Sequence, residues 1–223
     1  MATQPSTKSN SRKTARSQGR ASAKSSREQR SKRAQNVARK SASTESKRPR
    51  SSQKTLSDLL EHGLKDMYYA EKKIYRALPK MIRKADHPEL KEALENHRAE
   101  TESQIETLEN VFELLGKRAR GEKCEAIDGI LEEGESLLED FGDSVASDAA
   151  IIFSCQAVEH YEITRYGSLR AFAEELGLEE IRDHLDAILA QEKAADGTLN
   201  ELAEGSINDA ASEYDAEEES ALS

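Results

Sequence analysis

Glu71, His97, Glu100, Glu159, Glu162, Glu192 and Asp196 stand where a helical protein would be expected to place apolar side chains. Side chains three or four residues apart share one face of a helix. On that spacing one stripe reads Leu60, Leu64, Met67, Glu71, Ile74, Leu78, Met81. A second reads Leu90, Leu94, His97, Glu100, Gln104, Leu108, Val111, Leu115. A third reads Val145, Ala149, Ile152, Cys155, Glu159, Glu162, Tyr166, Leu169, Ala173, Leu176. The fourth reads Ile181, Leu185, Ile188, Glu192, then Ala195 or Asp196, then Leu199 and Leu202. Each stripe is interrupted once, near its middle, by carboxylates or an imidazole. A set of inward carboxylates left to itself repels and loses solvation, so pKa values rise or the structure opens. Two divalent cations would neutralise most of that charge, and the histidine would add a nitrogen ligand. A carboxylate-rich, histidine-poor set favours iron or manganese over a structural zinc site.

One inward glutamate is more often a protonated or ion-paired core residue than a ligand. The heights of the four interruptions argue against that for the set. Glu71 lies 15 residues before a turn near residue 86, about 22 Å at 1.5 Å per residue. His97 and Glu100 lie 11 and 14 residues after it. Around a second turn near residue 177, Glu162 and Glu159 lie 15 and 18 residues before, and Glu192 and Asp196 15 and 19 after. The acids are therefore expected at one level. Beside them, Tyr166, Gln104 and Gln156 are candidates to hydrogen-bond the ligand carboxylates. Ordinary core packing is the competing reading for all three. Cys155, on the same stripe, is expected to be a buried, inert thiol.

Four long helices must carry these residues. The first is expected from Leu56 to Lys84, capped by Thr55 or Ser57. The second starts at Pro88, which suits a first turn, and runs to about Leu115 and Gly116. The third covers about Ser144 to Glu175, and the fourth about Glu179 to Ala203. The connection 117–143 contains a shorter amphipathic stretch from Glu125 to Asp140. Two tight turns and one long crossover define an all-α, ferritin-like four-helix bundle, not a simple up-down-up-down one. This domain is assigned to residues 55–204. Residues 205–223 form an acidic C-terminal tail, expected to fray from Ser206.

Composition divides the 223 residues further. The net charge of −10 hides a segment, 1–54, with 16 Lys/Arg against two acids, or +14. The remainder carries −24. The arm holds 13 Ser and almost no large aliphatic residue, so it cannot bury enough apolar surface to order itself and is expected to be disordered. Its charge density suits nucleic-acid phosphates, contacted without sequence preference. It has no aromatic side chain for stacking on single strands. No apolar run approaches a membrane span, the N-terminus has no signal h-region, and two cysteines form no disulfide framework. A cytoplasmic location is the expectation, with no membrane partner.

The strings LKDMYYAEKKIYRALPKM, ELKEALENHRAETESQIETLENVFELLG, CQAVEHYEITRYGSL and QEKAADGTLNELAE resemble the YciF-like branch of the ferritin-like superfamily. The resemblance covers roughly residues 55–204 and spares the arm and tail. It implies a ferritin-like bundle, a homodimer, a role in bacterial stress responses and a metal site, but no defined reaction. Ferritin-like di-iron proteins carry Glu-x-x-His on two helices. Here the second helix has the reverse order, His97-x-x-Glu100, and the fourth has Glu192 and Asp196 without a histidine. Carried over residue by residue, Glu71, His97, Glu100, Glu162 and Glu192 rank first as ligands, then Glu159 and Asp196. The function expected is a stress-response protein that handles iron or manganese and consumes oxidants. The alternative is a non-enzymatic bundle that binds nucleic acid through its arm.

Overall fold

The computed structural model describes residues 53–213. The expectations for the arm up to residue 52, and for the tail beyond residue 213, lie outside the described residues. The helices belong to one unit that begins at Lys54.

Helix α1, Leu56–Lys84, starts at a capping box: the Thr55 hydroxyl accepts from the Asp58 amide, and the Asp58 carboxylate accepts from the Thr55 amide. Such reciprocal bonds satisfy donors that a helix start leaves free. Helix α2, Pro88–Leu114, follows a short turn and places Pro88 in its first turn. Asp148, from a distant helix, accepts hydrogen bonds from the amides of Asp86 and His87 and so ties that turn down. Helix α3, Glu125–Phe141, lies within the crossover. Helix α4, Ser147–Leu176, ends at Gly177, whose φ of 73° is the left-handed C-cap that glycine adopts without strain. Helix α5 runs from Glu179 to Leu202.

Around the bundle, α1 packs on α2 and α4, and α5 packs on α4 and α2. The start of α4 meets the α1–α2 turn, as does the segment after α5 through Ser206 and His87. Neighbouring helices are therefore antiparallel, and α2 and α4 run the same way across the diagonal. The crossover spans the length of the bundle to make this possible. It is pinned to α1 by Tyr69 donating to Asp128, by the Lys65–Glu122 ion pair, and by Glu122 N–H donating to the Lys65 carbonyl. Gly121 lets the strap lie directly on Tyr69, since a Cβ there would stand 3.1 Å from the Tyr69 Cα.

Two expectations change. Helix α4 begins at Ser147 because Ser144 caps a tight turn instead, its hydroxyl donating to the Phe141 carbonyl. Val145 accordingly leaves the inner stripe and is 52% exposed. The chain also does not fray at Ser206. A π-helical turn, Ala203–Ile207, buries Ile207, and helix continues to Glu213. Among the described residues, no helix is long and apolar enough to cross a membrane.

Apolar layers close both ends of the bundle. Leu78, Met81, Leu90 and Ile151 fill the end near the α1–α2 turn, and Leu60, Leu64, Leu169 and Leu185 fill the other. Each such buried side chain contributes about 1.5–3 kcal/mol. Between the two layers lies a polar one.

Candidate metal centre

Each of the four bundle helices delivers an acid or imidazole to this middle layer. Glu71 comes from α1, His97 from α2, Glu159 and Glu162 from α4, and Glu192 from α5; all are between 0% and 6% exposed. The spacing explains the placement. On α2 the buried line runs Leu90, Leu94, His97, Thr101, Gln104, Leu108, Val111, alternating steps of four and three that hold one face to the core. One ligand-type atom from each of His97, Glu159, Glu162 and Glu192 lies within 4.8 Å of the others. Glu71 sits against Glu162 and feels the charge of Glu192.

The electrostatics are those of buried acids. Burial pushes Glu71 and Glu162 well above the ordinary carboxyl range, and neighbouring acids push further. Burial, then the Glu192 charge, raises Glu159 to about 10. Burial raises Glu192 to about 7. The four acids act on one another: the charges of Glu71, Glu192 and Glu159 push Glu162 up, and those of Glu192 and Glu71 push Glu159 up. His97 Nε2 approaches Glu159 Oε1 at 3.3 Å. This is not an ion pair: burial lowers His97 to about 4 while Glu159 is raised, so both are neutral at pH 7. Nor is it aligned as a hydrogen bond, because both imidazole nitrogens lack a hydrogen-bond partner.

Around this core, the Tyr166 hydroxyl donates to Glu71 Oε1. Gln104 Nε2 donates to Glu192 Oε1 at 2.6 Å and to Gln191 at 3.2 Å. These two residues do contact the carboxylates. Gln156 does not: its amide donates to Asn200 at an exposed edge. Burial raises the Cys155 thiol to about 12, which keeps it an unreactive thiol near the layer.

Glu100 and Asp196 stay outside the group of four. The inner line of α2 passes through Thr101, 1% exposed, and leaves Glu100 half-buried at its edge. Asp196 is turned toward α4, where its carboxylate meets the exposed His160 at 3.2 Å. Thr101 itself went unnoticed in the sequence, although four residues after His97 is the step that keeps to the same face; its hydroxyl is spent on the His97 carbonyl.

A cation would meet a consistent set of donors here. Glu71 Oε2, His97 Nδ1 and Nε2, Glu159 Oε2, both Glu162 oxygens and Glu192 Oε2 are buried without a hydrogen-bond partner. A buried polar atom left unpaired costs about 1–3 kcal/mol, so one layer holding seven such atoms is an anomaly for a core. Oxygens with one imidazole, facing inward from four helices, are donors suited to a divalent transition metal.

Residues 55–212 match the family described as "Domain of unknown function (DUF892)". Protein YciF of Escherichia coli K12 is 38% identical over 156 residues, covering 70% of this chain and 94% of that protein. The crystal structure of the E. coli stress protein YciF aligns with a TM-score of 0.66, covering 70% of this chain and 99% of that one. YcfI from Rhodopseudomonas palustris, a candidate structural protein, aligns with a TM-score of 0.65 at 47% identity, covering 69% and 98%. A Xanthomonas campestris protein at 24% identity, with a TM-score of 0.55 over 72% of this chain and 97% of that one, shares the fold. With the match spanning every described helix and the bundle reproduced in these relatives, the chain belongs to the DUF892 family.

Proposed function

We propose that this protein is a stress-associated, ferritin-like bundle that holds two divalent cations, iron or manganese, in its middle layer. The observation that carries the reading is the set of buried, unpartnered carboxylate oxygens and imidazole nitrogens converging from four helices. His97, Glu159, Glu162 and Glu192 would hold one cation, and Glu71, beside Glu162, would help to hold the second. Bound iron or manganese would supply redox chemistry toward a small oxidant. The chain's own residues set the conditions for it. Binding must release the protons that the buried carboxyls retain at neutral pH, so affinity rises with pH. Tyr166 fixes the orientation of Glu71, and Gln104 that of Glu192. The apolar layers above and below close the two ends of the bundle. The stress role follows from the relative described as a stress protein.

Metal analysis of protein loaded with manganese(II) or, anaerobically, iron(II) tests this reading. About two equivalents are expected, falling by at least one in Glu162→Ala. Fewer than about 0.2 equivalents, unchanged by that substitution, would remove it.

The +14 segment favours a second, compatible role for residues 1–54, contact with nucleic acid. Phosphate neutralisation by such a segment is strongly salt-dependent. Full-length protein is expected to retard duplex DNA at low salt, and protein starting at Thr55 is not. Equal retardation by both would exclude the arm. A homodimer of bundles completes the proposal, with sedimentation of the full chain as its check.

A further inference from the structure

A cavity of about 200 Å³ lies between α2 and α5. Ala93 on α2 and Ala194 and Ala195 on α5, all small, are among the residues that line it. About 10–15 Å³ of such space is enough to hold a water, so it has room for several. Its inner wall is His97 and Glu159, 6% and 1% exposed, each with unpartnered polar atoms. Its outer wall includes Asn96, Thr198 and Ala194, which are exposed, and Glu100, which is half-buried. Glu100 makes no hydrogen bond or ion pair among the described residues, yet its charge is felt at Glu192. A second gap, among α1, α3 and α4, also reaches His97 and Glu159, but it is only about 20 Å³ and is walled mostly by apolar side chains such as Ile74, Met81, Ile130 and Val158. That is too small and too apolar for a hydrated ion.

We infer that the cavity between α2 and α5 is the route by which a divalent cation reaches the buried cluster, with Glu100 as the transfer ligand that receives it. The inference rests on the proposed function above. A lone carboxylate on the cavity wall concentrates cations there. A cation held by Glu100 can keep part of its water shell inside the cavity. It then exchanges those waters for His97 and Glu159 as it moves inward. The outward neighbour of a ligand layer therefore carries a negative charge that belongs to no ion pair. Its place at the edge of the α2 stripe, and not on it, is what the role requires.

Cobalt(II) is the probe. Chelator-stripped full-length protein is mixed rapidly with cobalt(II), and the growth of its visible ligand-field absorption is followed. Wild-type uptake is expected to slow as ionic strength rises. Glu100→Gln is expected to slow uptake at least five-fold while the final cobalt equivalents stay unchanged. Ala194→Phe, at an exposed position beside the cavity, is expected to slow both uptake and chelator-driven release, again at unchanged stoichiometry. Unaltered rates in both variants would overturn the route. Loss of a cobalt equivalent in Glu100→Gln would also overturn it, since Glu100 would then be a permanent ligand. A wild-type protein that takes up no cobalt, manganese or iron would instead refute the proposed function itself.

Discussion

The stability of the metal-free protein should fall steeply as pH rises through the neutral range, opposite to what ionised, paired carboxylates would give. Stability changes with pH in proportion to the protons bound by the unfolded state minus those bound by the folded one. Glu159 has an ordinary value of 4.5 and is raised to about 10 in the fold. Its contribution is fully present below 4.5 and is lost progressively as pH climbs to 10. Each pH unit in that window removes about 1.4 kcal/mol. Glu192, raised to about 7, adds the same slope only below pH 7. His97 acts in the opposite sense. Lowered from 6.5 to about 4, it adds stability between those limits and nothing above them. The window from pH 7 to 9 is therefore the clean one. Glu159 alone should remove roughly 3 kcal/mol there, and Glu71 and Glu162, also raised, act in the same direction. Against a typical total of about 5–15 kcal/mol this is a large fraction. Urea unfolding of chelated protein at pH 7, 8 and 9 measures it, and the midpoint should drop by about 1–3 M. Glu159→Gln should be more stable than wild type at pH 9 and show a shallower slope. A flat or rising profile in chelated wild type would refute the reasoning, because it would mean that the acids are ionised and compensated in the fold.

Three further outcomes follow from single contacts. Tyr166→Phe removes the hydroxyl that Glu71 accepts and should cost about 1–3 kcal/mol in the metal-free protein, read by thermal unfolding. Thr55→Ala breaks the capping box of α1 and should cost about 1 kcal/mol without changing metal content. Gly177→Ala forces a side chain onto a residue with φ of 73° and should lower stability by roughly 1–2 kcal/mol at constant metal content.

Helix ends and the inward acids were legible because both follow local rules. Thr55, Pro88 and Gly177 mark termini by their own chemistry, and Glu71, Glu159, Glu162 and Glu192 interrupt stripes whose period is set by the helix. What was not legible came from geometry that the period does not resolve. Glu100 and Thr101 are adjacent, and either continues a stripe from His97; the fold buries Thr101 and leaves Glu100 half-buried. Asp196 occupies an inward step on α5, and its carboxylate stands 3.2 Å from His160 on α4 while its charge is still felt at Glu159. Gln156 has the right spacing to reach a ligand, and the nearer Asn200 takes its amide. The cavity between α2 and α5 is lined by small residues from two helices far apart in the chain, Ala93 on one and Ala194 and Ala195 on the other. No pattern along a single helix announces that.

The central claim, that the middle layer is a cation site and not a protonated core, is tested most directly by anomalous diffraction. Crystals of the full-length protein would be grown with manganese(II) near pH 8 and measured on both sides of the manganese edge. The expected result is two peaks inside the bundle, one bounded by His97, Glu159, Glu162 and Glu192 and the other beside Glu71 and Glu162. An interior without anomalous density, its carboxyls hydrogen-bonded to one another and manganese only on the surface, would contradict the account.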